Sequence, residues 1–518
     1  MSLNNMEFYL LLLLVLCSFI ALICYVKIKS NRFEFARIRK LQTCDVLAVV
    51  DDVHPTKLVN PKLEEQCEVI VVGSGVLGSA LAAALGRDGR KVTVIERDLS
   101  EPDRIVGELL QPGGVKALNK LQLDGCLEGF DAQTVKGYVI HDQDTGDQIH
   151  IPYPTSADGH IYSGRSFHHG RFVMALRKAA QKEETVTMVE GNVTTLLTKA
   201  GRVVGVRYKD KTSKEMRQRY SPLTIVCDGC FSRFRKALVQ SVVSTSSHFV
   251  GLIMVDCPQV RSHHAELVLG SCCPSLIYKT SSNESRVLVD IQGQLPSDLK
   301  GHLKNNVLPQ FPTHLQGPFL DALERERLRS MPSSHLAPAP CVVPGVLILG
   351  DAFNMRHPLT GGGMSVALND VVLWRDLLQD IPDLTDMDAI TAALKKFQWL
   401  RKSNHSFVVN VMAQALYELF AASDEDLHRL QQACFAYFRL GGRAVSGPIG
   451  LLSVLTPNPL VLIGHFFAVA LYAVYFAFKS EKWWAIHRSS FKAISVFFKA
   501  CNVLFPLIWS ERHSVQLV

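Results

Sequence analysis

The basic residues of this chain form no long Lys/Arg run and do not interleave with aromatics. A nucleic-acid surface is therefore not indicated, and the net charge of +7 suits a membrane surface better. No sequence repeat appears, which excludes repeat architectures, and there is no low-complexity tract. No Ser/His/Asp set and no paired carboxylates stand out, so nothing calls for nucleophilic or paired-acid catalysis. Cysteine motifs are equally scarce: among thirteen cysteines, Cys227-Asp228-Gly229-Cys230 is the only CxxC. A redox or zinc role would need a second pair or histidine partners, so the cysteines read as structural residues of a cytosolic body. His141 to Asp147 superficially resembles a calcium loop, but its glycine comes one position early and no Glu closes it. It reads as a hairpin turn, and no metal is expected.

What is present is apolar. Hydrophobic residues make up 47% of 518 positions and charged ones 20%, enough for two or three domains with full cores. Phe8 to Val26 is a 19-residue apolar run followed by Lys27, Lys29, Arg32, Arg37, Arg39 and Lys40. That length spans a bilayer, and the basic flank places the body in the cytosol. A cleaved signal peptide fits less well, because the positive flank follows the run and no small-x-small site comes after it. The sequons at Asn192, Asn283 and Asn404 would then go unused. Near the other end, Pro459 to Phe478 is apolar except for His465, and Ala493 to Trp509 is interrupted only by Lys499 and Pro506. Their interruptions and aromatics suit helices lying in the membrane interface.

The most informative stretch is Val69-Ile70-Val71-Val72-Gly73-Ser74-Gly75-Val76-Leu77-Gly78, followed by Val92-Thr93-Val94-Ile95-Glu96. It reads as strand, glycine turn, helix, strand, acid. Gly73 permits the turn, Gly75 lets backbone approach a pyrophosphate, and Gly78 lets helix pack on strand. The helix N-terminus offers free N–H groups to phosphates. Glu96 can accept ribose hydroxyls and disfavours a 2′-phosphate, which points to FAD or NAD rather than NADP.

Periodicity divides the rest. Residues 1–40 are the anchor and its flank, and 41–66 a linker. A nucleotide-binding unit takes 67–120, 161–235 and 341–385. A strand-rich second domain takes 121–160 and 236–340, inserted into the first. Residues 386–518 are helical and membrane-associated. Arg171 to Ala180 reads as a helix, Thr185 to Leu197 as a strand pair, Leu223 to Gly229 as a buried strand ending in a turn, and Val346 to Asp351 as another buried strand.

Two further motifs follow the glycine turn. Asp228-Gly229-Cys230-Phe231-Ser232-Arg233-Phe234-Arg235 matches D-G-x-x-S-x-x-R. Gly350-Asp351-Ala352 with Pro358 and Gly361-Gly362-Gly363-Met364 matches a G-D-A…P…G-x-G loop. An acid at a strand end can bind a ribityl hydroxyl, and a helix N-terminus beyond glycines can stabilise a reduced flavin. Together the three motifs resemble the flavoprotein monooxygenases. Arg104 to Gly114, Gly137-Tyr138, Met355 to Gly363 and Gly447 to Pro457 are similar, more specifically, to the squalene epoxidase (squalene monooxygenase) family, over about residues 67 to 510.

The resemblance implies an α/β fold: a Rossmann-type FAD-binding domain, an inserted β-rich substrate domain and a C-terminal helical membrane-associated region. It implies that Gly73, Gly75, Val76, Leu77 and Gly78 form the pyrophosphate turn and that Glu96 and Arg97 lie at the ribose. Arg104, Leu109 and Arg177 lie along the cofactor, Val193 beside the adenine, and Asp351 and Met364 at the ribityl and flavin. This chain has Leu109 where the family often has Phe. Tyr138, paired with Gln111, would orient the loop shielding the flavin. Tyr278, Leu359, Phe435, Phe438, Pro448, Leu451 and His465 would line a substrate channel. The implied reaction is epoxidation of squalene by O2 to (S)-2,3-oxidosqualene through a flavin C4a-hydroperoxide, in sterol biosynthesis. No second GxGxxG and no FMN module are visible. The resemblance implies that electrons come from NADPH through a separate NADPH-cytochrome P450 reductase on the endoplasmic reticulum membrane. Two other readings share this fold: a flavin-dependent isoprenoid reductase, and a prenyl-binding protein without catalysis.

Overall fold

The computed structural model describes residues 50–52, 67–143, 145–239, 241–270, 272–341, 343–422, 424–479 and 486–513. The expected anchor and its basic flank lie outside the described residues, as does the 41–66 linker apart from a short strand at Val50–Asp52.

Val69–Val72, Leu223–Val226 and Val346–Ile348 carry no polar alternation except Thr224, so neither face can meet water. They form the middle of a parallel array. Ile225 lies between Val71 and Leu347, and Val71 in turn pairs with Val94 of the strand Val92–Glu96. The next neighbour, Val186–Lys199, is one long strand, parallel to Val92–Glu96 over its first five residues. This corrects the expected strand pair at 185–197. A single bulged strand serves both the parallel array and the antiparallel extension through Arg202–Asp210 and Met216–Tyr220. The helix Val76–Arg87 buries eleven of its twelve residues, packing on the helices His169–Gln181 and Gly363–Gln379.

A second sheet runs in the order Arg329–His335, Ser244–Val255, Glu284–Gln292, Ser275–Lys279, His264–Leu269, Gly137–Asp142, Asp147–Pro152. Its pairings are antiparallel except His264–Leu269 with Gly137–Asp142, which joins strands from two distant stretches of chain. Gly137–Asp142 and Asp147–Pro152 form a hairpin with Asp142 opposite Asp147. The stretch 236–340 is not purely strand-rich. Residues 299–325 are helical turns and the helix Thr313–Arg325, whose Leu315 and Phe319 cover one face of this sheet with Leu303 and Val307.

From Met387 onward the chain is helical. Asp386 and Asp424 cap Met387–Arg401 and Glu425–Arg439 by accepting from backbone N–H groups of the first turn. Pro459–Lys479 and the segment Ile486–Glu511 are long and apolar enough to cross a membrane, with mean hydropathy 2.1 and 1.6.

Candidate active site

Three turns converge at the carboxyl ends of the parallel strands. Gly73 has φ +102°, and a Cβ there would lie 2.6 Å from the Cys227 carbonyl oxygen. Cys227 in turn donates its thiol to the Gly73 carbonyl at 3.3 Å, so this cysteine locks two turns together. At Gly78 a Cβ would fall on the Gly73 carbonyl oxygen, whereas at Gly75 it would meet nothing within 4 Å. Gly75 is therefore the open floor of a cradle. No side chain caps the helix Val76–Arg87 and no acid occupies its first turn, which leaves its N–H groups and dipole available to an anion. Glu96 accepts from the Ser74 N–H at 2.6 Å, and buried Arg177 donates to the carbonyls of Ser74 (3.0 Å) and Ser100 (2.9 Å). Arg177 thus stands over the turn. Arg97 follows Glu96 and is exposed, Arg104 is exposed near Gly229, and Val193 is buried on the strand next to Glu96.

The Gly350–Ala352 turn closes the other side, with Gly350 placed over Leu77. Arg235 holds this turn by donating to the carbonyls of Asp351 (2.9 Å) and Ala352 (2.8 Å), while the Asp351 side chain stays exposed. The glycine-rich segment then leads into the helix Gly363–Gln379, whose first turn holds Met364, no acid and no capping side chain. Two uncapped helix N-termini thus flank one groove, one at each end. Thr360 Oγ1 and Ser74 Oγ are buried there without a hydrogen-bond partner. A dinucleotide with one phosphate-rich end and one ring that becomes anionic on reduction fits this arrangement.

The loop between these turns is anchored from behind. Arg356 donates to Asn410 (2.8 Å) and Asn354 (2.6 Å). Arg401 donates to Asn354 and Asp370, both at 2.9 Å. Burial, with Arg401 close by, lowers the Arg356 guanidinium to about 10. His357 stacks on Tyr417 at 4.1 Å.

In front of the loop, Gln111 is fully buried and uses both ends of its amide. Its Nε2 donates to the Tyr138 hydroxyl (2.6 Å) and the Thr360 carbonyl (2.8 Å), and its Oε1 accepts from the Tyr153 hydroxyl (2.6 Å). Burial raises the Tyr138 and Tyr153 phenols, so both stay neutral. The segment before Gln111 is pinned by Glu108, which takes a bidentate pair from Arg286 at 2.8 and 3.0 Å. Gly107 beside it (φ +88°) gives its carbonyl to His169 Nδ1 at 2.8 Å, and burial lowers that imidazole to about 4.

Beyond Tyr138 and Leu359 opens a cavity of about 1300 Å³, part of it open to solvent. Tyr138, Leu359, Phe438, Pro448, Leu451 and His465 all face it. Tyr278 and Phe435 do not line it: the Tyr278 hydroxyl lies 3.3 Å from Glu108, and Phe435 packs in the core behind the wall. Among the described residues the lining contains no Asp, Glu, Lys or Arg. Much of the wall comes from residues that were not singled out, among them Met412, Leu416, Phe420 and Val445. Helical periodicity could have nominated them only as core. Tyr153 was also missed, although the alternation Ile149, Ile151, Tyr153 marks it as facing the same side.

The fold has relatives among solved structures. The p-nitrophenol 4-monooxygenase PnpA from Pseudomonas putida superposes with a TM-score of 0.64 at 16% identity, over 76% of this chain and 100% of that one. The flavin-dependent brominase Bmp2 gives 0.63 at 16% identity, over 79% and 99%. In sequence the likeness is closer. The squalene monooxygenase of Mus musculus is 58% identical over 444 residues, 86% of this chain and 78% of that protein. The squalene epoxidase erg1 of Schizosaccharomyces pombe is 41% identical over 457 residues, 87% and 99% respectively. A family model described as squalene epoxidase matches residues 220–490. Glycine turns with uncapped helix N-termini beside an uncharged cavity, carried by a sequence this close to those enzymes, lead to one conclusion: the chain belongs to the squalene epoxidase family.

Proposed function

We propose that this protein is the FAD-dependent monooxygenase that converts squalene to (S)-2,3-oxidosqualene with O2 in sterol biosynthesis. The observation that carries this reading is the uncharged cavity sharing Leu359 and Thr360 with the glycine-rich loop. Its lining is overwhelmingly apolar, as a long hydrocarbon requires.

Gly73, Gly75, Val76, Leu77 and Gly78 would hold the pyrophosphate of FAD, with Arg177 above it. Glu96 and Arg97 would hold the adenosine ribose, and Val193 would pack by the adenine. Arg104, Leu109, Asp351 and Met364 would hold the ribityl and ring portion. FAD, once bound and reduced, supplies the activation of O2. The chain's own residues place one terminal alkene and keep water out. Gln111 couples the Tyr138 wall to the Thr360 carbonyl, so the loop at the reacting end cannot shift independently of the cavity. Glu108 and Arg286 hold the segment before Gln111 from below. No residue needs to remove a proton from an isolated alkene.

Squalene is reached through lipid. Leu462, His465, Phe466 and Val469 of one apolar helix and Val503 of the other wall the cavity. The same two helices turn Leu460, Tyr475, Phe491 and Ile494 outward. In this reading they lie in the membrane interface, on the cytosolic side of the endoplasmic reticulum. NADPH-cytochrome P450 reductase on that membrane delivers the electrons. Residues 67–120, 161–235 and 341–385 form the cofactor unit, and 121–160 with 236–340 the substrate domain.

The test is an aerobic incubation of purified protein with squalene, the reductase and NADPH. 2,3-Oxidosqualene is expected. A saturated product would favour the isoprenoid reductase, and a colourless protein giving no product would favour a prenyl carrier.

A further inference from the structure

Away from the cavity, the turn between the strands His264–Leu269 and Ser275–Lys279 carries two adjacent cysteines. Cys273 is buried and Cys272 half-buried. Their Sγ atoms lie 2.8 Å apart. His302, the last residue of the short helix Leu299–His302, brings its Nε2 to 3.9 Å from Cys272 Sγ and 3.8 Å from Cys273 Sγ. Sequence spacing gave no hint of this grouping, since thirty residues separate Cys272 from the histidine.

We propose that Cys272, Cys273 and His302 form a binding site for a thiophilic cation of the Zn2+ class, with a solvent molecule as fourth ligand. Two thiolates and an imidazole are the donor set such ions select over Mg2+ or Ca2+. The spacing agrees with tetrahedral ligation. Metal–sulfur bonds of about 2.3 Å and metal–nitrogen bonds of about 2.0 Å separate sulfur from nitrogen by about 3.5 Å and the two sulfurs by about 3.8 Å. The imidazole therefore already stands near its place. The thiols must open by about 1 Å, which the half-buried Cys272 side chain can do by rotating.

The surroundings support the site. Asn306 Nδ2 lies 2.9 Å from His302 Nδ1, so ligation through Nε2 requires the amide to flip and accept from the Nδ1–H. Gln310 accepts from the Cys272 N–H at 3.2 Å and so holds the turn against the helical segment. The other group of three ligating side chains among the described residues is His141, Glu266 and His314. It is closed by its own hydrogen bonds: both imidazoles meet Glu266 Oε2, and Oε1 accepts from Val260. A bound ion at Cys272 would tie the strand turn to the helical segment that carries Leu303 and Val307 into the core of the second sheet. Its role is then stabilisation of the substrate domain.

The experiment uses the full-length holoprotein, kept reduced, stripped with chelator and titrated with Co2+. We expect one Co2+ per chain with the absorption bands of tetrahedral thiolate ligation, displaced by Zn2+. Cys272→Ser and His302→Gln should each weaken uptake about tenfold or more while flavin content is unchanged. Unchanged bands in the Cys272→Ser/His302→Gln double variant, or no uptake by the wild type, would overturn the proposal. Should a variant fail to fold, alkylation of the wild type mapped by mass spectrometry decides: Zn2+ should slow modification of Cys272, and equal rates with and without the ion refute the site.

Discussion

Replacing Tyr138 by Phe removes one oxygen from the junction between cavity and loop and leaves the ring, with its edge contact to Tyr153 at 5.9 Å, in place. The Gln111 Nε2 group then keeps one acceptor, the Thr360 carbonyl, and loses the other. Gln111 has no exposed surface and Tyr138 is 7% exposed, so water cannot easily replace the missing oxygen. An orphaned buried donor costs about 1–3 kcal/mol. If half of a mid-range value, about 1 kcal/mol, falls on the reacting geometry, because the Thr360 loop is no longer held from both sides, kcat falls roughly fivefold. Flavin content should stay at the wild-type level, since no cofactor-cradling residue changes. The assay is turnover with squalene, reductase and NADPH, run beside thermal unfolding and flavin absorbance. Gln111→Leu and the double variant complete a cycle, in which Tyr138 and Gln111 should couple by about 0.5–3 kcal/mol. Wild-type kcat and Tm in Tyr138→Phe, or simple additivity in the cycle, would reduce Tyr138 to packing and remove Gln111 from the site.

Asp351→Ala should lose FAD during purification, read as the flavin-to-protein absorbance ratio; unchanged occupancy would refute its ribityl role. Glu108→Ala strands Arg286 in the core without its bidentate partner and should lower unfolding stability by about 3–5 kcal/mol in denaturant titration, and a loss below 1 kcal/mol would contradict the buried pairing. His169 is neutral in the fold, with its imidazole lowered from 6.5 to about 4, whereas the unfolded chain takes up a proton near 6.5. Its contribution is present above pH 6.5 and is lost as pH falls toward 4, reaching about 2 kcal/mol by pH 5. His169→Gln should flatten the stability profile between pH 7 and 5 by that amount, and an unchanged slope would assign the acid sensitivity to other groups.

The strands of the parallel array were legible because both of their faces are buried, so their residues run apolar without a break. The glycine turn was legible because only glycine tolerates Gly73's φ and the close approach at Gly78. The strand at 186–199 was misread because its bulge at Thr194 interrupts the two-residue period. The helical segment 299–325 was missed because Pro309, Pro312 and the Gly317-Pro318 pair inside the helix Thr313–Arg325 read as helix breakers. At the site, Gln111 and Tyr138 were paired from a resemblance, but Tyr153 and the Thr360 carbonyl, which complete that node, were not foreseen. Tyr278 faces Glu108 instead of the cavity, since a buried hydroxyl goes where an acceptor is.

The sequence by itself determined the parallel sheet, the glycine turn, the acid at the end of the strand that follows it and the apolar tail. Each depends on backbone conformation or on periodic burial over fewer than about twenty-five consecutive residues, and such information is local. Only the tertiary structure decided which side chains share a space. The cavity wall draws on Tyr138, Leu359, Met412 and His465, and the thiol–imidazole cluster joins Cys272 and Cys273 to His302. Packing and hydrogen-bond satisfaction choose such partners across the chain, and a leucine on a wall carries the same sequence signal as a leucine in a core.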